Sequence, residues 1–263
     1  MIVGYQGEPG AFSEEAAAQL FGAIEARGYA SFDLLVDAVD AGCVTYGLLP
    51  CENSIHGPVA RAYDLLYAHP RVRIVDETVY RIVQALIGAP GARLEDIRRV
   101  ESHPVALEQC RRFLGSLPGA AVVAVADTAG AVREVARSAQ PGRAAIGSAA
   151  CAQRYGGVVL ADAIQDETEN YTRFFAIARG GQPLRRLGRA ALAFVLPHET
   201  GSLYAALGVL FERELNLRAL VARPLPGRPF EYIFYAELDC PDERQARAVA
   251  NEIASQARLL GWY

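Results

Sequence analysis

The alternation of apolar and polar positions changes character near residue 183. Before that point, short apolar runs of strand type alternate with stretches whose apolar residues recur every three or four positions. Residues 2–5 read as a strand. A glycine turn over residues 7–12 follows, and Ser13 opens a helix to about Phe21. Ser31 caps a second helix with Phe32, Leu35, Ala38 and Val39 on one face, and Gly42 stops it. Residues 46–50 form a short buried strand that ends in Cys51-Glu52-Asn53-Ser54-Ile55-His56-Gly57. A helix from Pro58 carries Val59, Ala62, Tyr63 and Leu66 at helical spacing. Residues 72–87 hold one long strand or two. Strands at 98–101, 121–125, 144–146 and 158–160 are each followed or preceded by a helical pattern, and 174–178 is a further apolar strand. Strands alternating with helices predict a mostly parallel α/β sheet.

Arg179-Gly180-Gly181-Gln182-Pro183 reads as a linker, and a basic patch of Arg185, Arg186 and Arg189 follows. The pattern then runs strand (190–196), helix with Leu203, Ala206, Leu207 and Leu210 inward, strand (217–222), strand (231–238), helix with Ala246, Val249, Ala250 and Ile253 inward, and closing strand (258–263). That order, β-α-β-β-α-β, is the ferredoxin-like module. Two domains are expected, residues 1–180 and 188–263.

Composition removes whole classes of chemistry. The chain has no lysine, which excludes a Schiff-base enzyme, a pyridoxal-phosphate lysine and a Walker A loop. No G-x-G-x-x-G is present, and His56, His69, His103 and His198 lack metal-ligand spacing. No cofactor and no metal are therefore expected. A formal charge of -4 argues against nucleic-acid or anionic-membrane partners. No apolar run approaches the ~18 residues of a membrane span. Cys43, Cys51, Cys110, Cys151 and Cys240 are odd in number and scattered, and the first residues enter a strand with no basic or cleavable leader, so a cytoplasmic protein with reduced thiols is expected.

Candidate chemistry gathers at two kinds of place. Five strand-to-helix junctions carry a hydroxyl or amide: Ser13, Asn53-Ser54, Ser102, Thr128 and Ser148. Each is an ordinary N-cap taken alone. Together, at the carboxyl ends of parallel strands, they suggest a small anion held by backbone amides. The second place is Asn170-Tyr171-Thr172-Arg173, a hydroxyl and a guanidinium at the mouth of the 174–178 strand. Such a stretch is either a functional edge on a rigid element or a polar turn with a surface ion pair.

Four ordered blocks then carry a family resemblance over nearly the whole chain: Gly7 to Ser13 (Gly-x-Pro-Gly-x-Phe-Ser), Pro50-Cys51-Glu52-Asn53-Ser54, Ser102-His103-Pro104 with Gln109-Cys110, and Thr172-Arg173-Phe174. The chain resembles the monofunctional prephenate dehydratases with a C-terminal ACT regulatory domain. The resemblance implies a catalytic part of two α/β lobes like a periplasmic binding protein, with the site in the cleft between them. It also implies a phenylalanine-binding ACT domain, prephenate as substrate, and a homodimer or homotetramer. Two positions depart from the family pattern. Val105 stands where some members carry a glutamine, and the effector motif Glu-Ser-Arg-Pro reads Val221-Ala222-Arg223-Pro224. The partner motif Gly-Ala-Leu-Ile is loosened to Gly201-Ser202-Leu203-Tyr204.

On this reading Thr172 is the donor to the leaving hydroxyl of prephenate, acting as an oriented hydrogen bond. Arg173 pairs with a substrate carboxylate or locks the loop against Glu167 or Glu169. Asn53 and Ser54 suit a substrate carboxylate or the pyruvyl carbonyl, with Ser13, Ser102 and Ser148 as further binding positions. Phe174 is on the substrate side by its motif and core by its neighbours. Cys51 reads as small packing. Gly201, Ser202, Leu203, Arg223 and Pro224 are the effector positions. The alternatives are arogenate dehydratase, the same chemistry on the amino-acid analogue, and a non-catalytic small-anion binding protein.

Overall fold

The computed structural model describes residues 1–138 and 140–263. Along the chain the elements are β1 (Ile2–Gln6), α1 (Phe12–Phe21), β2 (Glu25–Tyr29), α2 (Phe32–Ala41), β3 (Tyr46–Asn53), β4 (Gly57–Pro58), α3 (Ala60–Ala68), β5 (Val72–Arg81) and β6 (Ala85–Gly88). There follow β7 (Arg99–Ser102), α4 (Pro104–Gln109), α5 (Arg111–Gly115), β8 (Ala121–Ala124), α6 (Thr128–Ser138), β9 (Arg143–Gly147), α7 (Ala149–Tyr155), β10 (Val158–Ala161) and β11 (Tyr171–Arg179). The last six are β12 (Arg189–Val195), α8 (Ser202–Glu212), β13 (Leu217–Pro224), β14 (Tyr232–Asp239), α9 (Glu243–Ile253) and β15 (Arg258–Trp262). Among the described residues no helix is long and apolar enough to cross a membrane. By contact density the chain forms two units, and the division falls inside β3, β5 and β11.

The first unit comprises residues 1–31, 52–57 and 79–173. Its sheet has the order β10-β6-β9-β7-β8. Strand β7 runs parallel to both β8 and β9, while β6 is antiparallel to β9 and to β10. The sheet is thus mixed where the sequence predicts a mostly parallel one. No α-helix separates β6 from β7, its successor in this sheet, so nothing there enforces the crossover a parallel strand needs. Successive side chains alternate between two cores. Ile87 and Ala145 face Val132, Val135 and Cys151, whereas Leu86, Ala144 and Ile146 face Val100, Ala106 and Cys110. Strands β1 and β2 pair in parallel in this unit. The sequence pattern misses β2, because Glu25-Ala26-Arg27-Gly28-Tyr29 has no apolar alternation and is mostly exposed.

The second unit comprises residues 32–51, 58–78 and 174–263. Its strands follow the order β13-β14-β12-β15-β5-β11-β3. The predicted β-α-β-β-α-β order is observed in β12 to β15, with β12 antiparallel to β14 and β15 and β13 antiparallel to β14. Leu192, Phe194, Ala206, Leu210, Leu238, Val249 and Ile253 fill its core. Strand β15 also lies parallel to β5 through Gly261 and Ile74. A Cβ on Gly261 would stand 2.4 Å from the Ile74 carbonyl oxygen, so only glycine permits that approach.

Polar side chains tie the module beyond residue 188 to residues 58–78. Tyr63 Oη donates to Glu237 Oε1 at 2.6 Å, and Tyr263 Oη donates to Glu77 Oε2 at 3.2 Å. Arg258 donates to the Leu66, Tyr67 and His69 carbonyls at the end of α3, where a cation also meets the negative end of the helix dipole. Tyr63, Phe175, Tyr235 and Tyr263 form an aromatic cluster with centroids 5.5 to 6.3 Å apart.

Candidate active site

Strand β3 extends three residues past its expected end, which brings Asn53 onto the sheet and beside the start of β11. There the Asn53 amide is fully engaged. Nδ2 donates to Asn170 Oδ1 at 2.9 Å, to the Tyr171 carbonyl at 3.1 Å and to Thr172 Oγ1 at 3.1 Å. Oδ1 accepts from the backbone N–H groups of Ile55 and His56 at 3.0 and 3.1 Å. Ser54 is equally occupied. Its N–H donates to the Tyr171 carbonyl, its hydroxyl donates to the Glu169 carbonyl, and the Tyr171 N–H donates to that hydroxyl, at 2.8, 3.0 and 2.9 Å. The segment before β11 is held from the other side, where Ile82 N–H donates to the Asn170 carbonyl at 2.8 Å and Gln84 N–H to Gln165 Oε1 at 3.0 Å.

The consequence falls on Thr172. Its Oγ1 accepts from Asn53, and among the described residues no acceptor takes its own proton. It is partly buried, so a donor with a fixed lone pair faces limited solvent. Arg173 donates from Nε and Nη2 to Glu52 Oε2 at 3.1 and 2.9 Å, with its side chain 11% exposed. Glu52 is thus a carboxylate partner of Arg173. Of the two acids expected from sequence, Glu169 instead accepts from Tyr171 Oη at 3.0 Å.

The five junctions fare unequally. Only Ser148 is a side-chain cap of the expected kind, accepting from Cys151 N–H at 3.1 Å at the start of α7. Ser13 lies inside α1, whose preceding residue, Ala11, makes no side-chain cap. Ser102 ends β7, is fully buried and donates to the Ile146 carbonyl at 2.8 Å, and His103 caps α4 in its place. Asp127, not Thr128, caps α6 through the Gly130 N–H at 2.6 Å. Asn53 and Ser54 end a strand, and α3 begins only at Ala60. The error is positional: Ser13 and Thr128 lie within their helices, while Ser102 and Asn53 are last strand residues. Asn53, Ser54, Thr172 and Arg173 are therefore brought together, while Ser13, Ser102 and Ser148 stand on other elements. The glycine turn of the first block packs on α7, with Gly10 at φ +94° and too close to Cys151 Sγ for any Cβ. Tyr155 Oη donates to the Pro9 carbonyl at 2.6 Å.

Phe174 is 2% exposed and belongs to the core, because β11 is buried on both faces from Phe174 to Ala178. Cys51 is buried as packing, and burial pushes the thiols of Cys110 and Cys151 up to about 12, so neither is a thiolate nucleophile near neutrality. Two residues of the network, Glu52 and Asn170, lie in stretches singled out in sequence but carry no role in that reading. A signal existed for each. Asn170 precedes Thr172 by two in the polar stretch that leads into β11, and Glu52 sits inside the Pro-x-Glu-Asn-Ser block.

In the second unit a hollow of about 120 Å³ is lined by Ser202, Leu203, His198, Glu199, Tyr232 and Phe234, among others. Gly201 caps α8 at φ +88°. Arg223 points elsewhere and donates to Asp64 Oδ2 at 2.9 Å, so of the effector candidates only Ser202 and Leu203 line this hollow. Val221 and Ala222 pair with Tyr235 and Phe234 in the β13–β14 ladder.

Residues 3–182 match the family model described as prephenate dehydratase. The chain is 37% identical, over 99% of its length and 72% of the relative's, to arogenate dehydratase/prephenate dehydratase 2 of Arabidopsis thaliana. It is similar in structure to the prephenate dehydratase of Arthrobacter aurescens in complex with L-Phe, at TM-score 0.90, 29% identity and coverage of 99% and 89%. It is also similar to GqqA, described as a quorum-quenching acylase, at TM-score 0.88, 32% identity and coverage of 99% and 97%.

Proposed function

The chain belongs to the prephenate dehydratase family, and from that premise we propose that it turns prephenate into phenylpyruvate with loss of water and carbon dioxide. The observation that carries this is Thr172, whose oxygen is held by Asn53 Nδ2 while its proton has no acceptor within the described residues. In the substrate a ring carboxylate and a ring hydroxyl lie across a cyclohexadiene. The electrons of the breaking C–CO₂ bond complete the aromatic ring, and the hydroxyl leaves with a proton. Aromatisation supplies the driving force, so the site needs no strong nucleophile. It needs an oriented donor at the leaving oxygen, which Thr172 supplies. Arg173, which donates to Glu52, sits one residue away to balance substrate charge.

Arogenate is the second reading, since the Arabidopsis relative carries both names. It differs only in an ammonium for the pyruvyl keto group. The test is parallel turnover of prephenate and arogenate by the purified chain, without added cofactor and with a chelator present. Product from prephenate at the higher kcat/KM supports the proposal. A preference for arogenate moves the assignment to the second reading, and turnover of neither overturns both.

Regulation is read the same way. L-Phenylalanine binds the module of residues 188–263 in the hollow at Ser202 and Leu203, with its ammonium facing Glu199 and its ring facing Tyr232 and Phe234. The L-Phe complex of the Arthrobacter enzyme supports L-phenylalanine as the ligand. The module pairs with a second copy, giving a homodimer or homotetramer. Strand β13 ends the strand order, and Tyr204 and Phe211 on α8 are 83% and 84% exposed. Unpaired cysteines suit a reducing, cytoplasmic setting.

A further inference from the structure

Asn170 is fully buried, and its Nδ2 has no partner among the described residues. A buried amide is ordinarily retained for its donor and its acceptor together. Here only the acceptor is used, by Asn53 Nδ2 at 2.9 Å. The two N–H bonds of Asn53 Nδ2 serve three acceptors, of which one is Thr172 Oγ1. With Oδ1 fixed by the Ile55 and His56 N–H groups, the amide cannot turn over without breaking five contacts. Asn170 is therefore the side chain that decides where Asn53 points its second N–H.

We propose that Asn170 is a positioning residue for the dehydration, acting through Asn53 to present the Thr172 hydroxyl as a donor. The proposal rests on the reading of Thr172 as the donor to the leaving oxygen. It touches no substrate atom and moves no proton itself. The backbone of Asn170 is pinned independently by the Ile82 N–H, so the side-chain acceptor is separable from the path of the chain. Without that acceptor, Asn53 Nδ2 shifts toward the Tyr171 carbonyl. Thr172 then regains a free lone pair and rotates among its staggered positions. The loss appears in the transition state rather than in binding, so kcat falls and KM holds.

The experiment is a double-mutant cycle on prephenate turnover, with Asn170→Ala, Thr172→Ala and the pair, each checked for a cooperative melt. Thr172→Ala alone tests the underlying reading. If it turns over like the wild type, the donor assignment fails and the positioning proposal falls with it. With that reading intact, Asn170→Ala is expected to lower kcat at least tenfold with KM within twofold. The same change in the Thr172→Ala background is expected to cost less than twofold. Additive losses in the two backgrounds, or a rise in KM at constant kcat, overturn the proposal while leaving Thr172 as the donor. If Asn170→Ala does not fold, Asn170→Ser takes its place in the cycle, since serine keeps a polar group but is too short to reach Asn53.

Discussion

A threonine hydroxyl is a weak acid in water, and what its surroundings can add is direction. At Thr172 that direction comes from one amide hydrogen bond on the oxygen. Thr172→Ala removes the donor and little volume, so kcat is expected to fall by at least ~10²-fold, the low end for a positioned proton donor. Thr172→Ser keeps the hydroxyl and retains more activity. Equal turnover by alanine variant and wild type, with the fold intact, removes Thr172 from this role. The hydroxyl and its neighbour Arg173 were legible in sequence, because a polar pair at the mouth of an apolar strand stands out. The partners were not. Glu52 lies more than a hundred residues from Arg173, and no local pattern states which acid a guanidinium meets across a sheet. Asn53 was legible as a candidate but not in its bonding. A motif names the amide and leaves open whether the amide faces a ligand or the protein.

At the scale of elements, α4 carries a pH-dependent cap. His103 Nδ1 accepts from the Val105 N–H at 3.3 Å, which requires a ring unprotonated at that nitrogen. Burial lowers the His103 pKa, against an opposing pull from Asp127. A lowered folded value means the unfolded chain binds the proton more readily. The stabilisation is therefore complete above the unfolded value near 6.5 and is lost as pH falls through the lowered folded one. Melting temperature is expected to drop between pH 7.5 and 5.5 by more in the wild type than in His103→Asn, whose amide caps without titrating. Equal drops place the pH sensitivity elsewhere. Sequence periodicity found most of these elements because each buries one face. It missed β2, a polar strand whose place is fixed by pairing with β1, and it took Ser102 for a cap where His103 is one. Strand direction was also beyond it, since residues 72–87 read as one long strand or two and no α-helix beside β6 fixes its direction.

At the scale of the whole molecule, the module after residue 188 is expected to unfold with residues 58–78 rather than alone. Tyr63 lies outside the module, yet its hydroxyl donates to Glu237, which is 2% exposed. Tyr63→Phe deprives that buried acceptor of a partner and is expected to cost ~1–3 kcal/mol. Trp262 is the only tryptophan and lies in β15, so its fluorescence during denaturant unfolding reports the module. A shift of the Trp262 transition in Tyr63→Phe shows one cooperative body. An unmoved Trp262 transition beside a destabilised remainder shows two. Calorimetry with L-phenylalanine adds the regulatory test: binding to the full chain that Ser202→Asp abolishes locates the effector at the α8 hollow, and binding unchanged by that variant refutes the location.

The place of β15 between β12 and β5 has a consequence in time. A ribosome makes β5 early and β15 last of the elements in this sheet, so the two strands that β15 joins must wait for it. During that interval both present open edges, which is the state from which nascent chains pair with one another. The sheet of this unit closes only after synthesis is almost complete, and its folding is expected to be slow for its stability, as non-local pairings generally are. A chain stopped before residue 258 is accordingly expected to sediment with insoluble material when synthesised in a cell-free system. The full-length chain made in parallel is expected to stay in the supernatant.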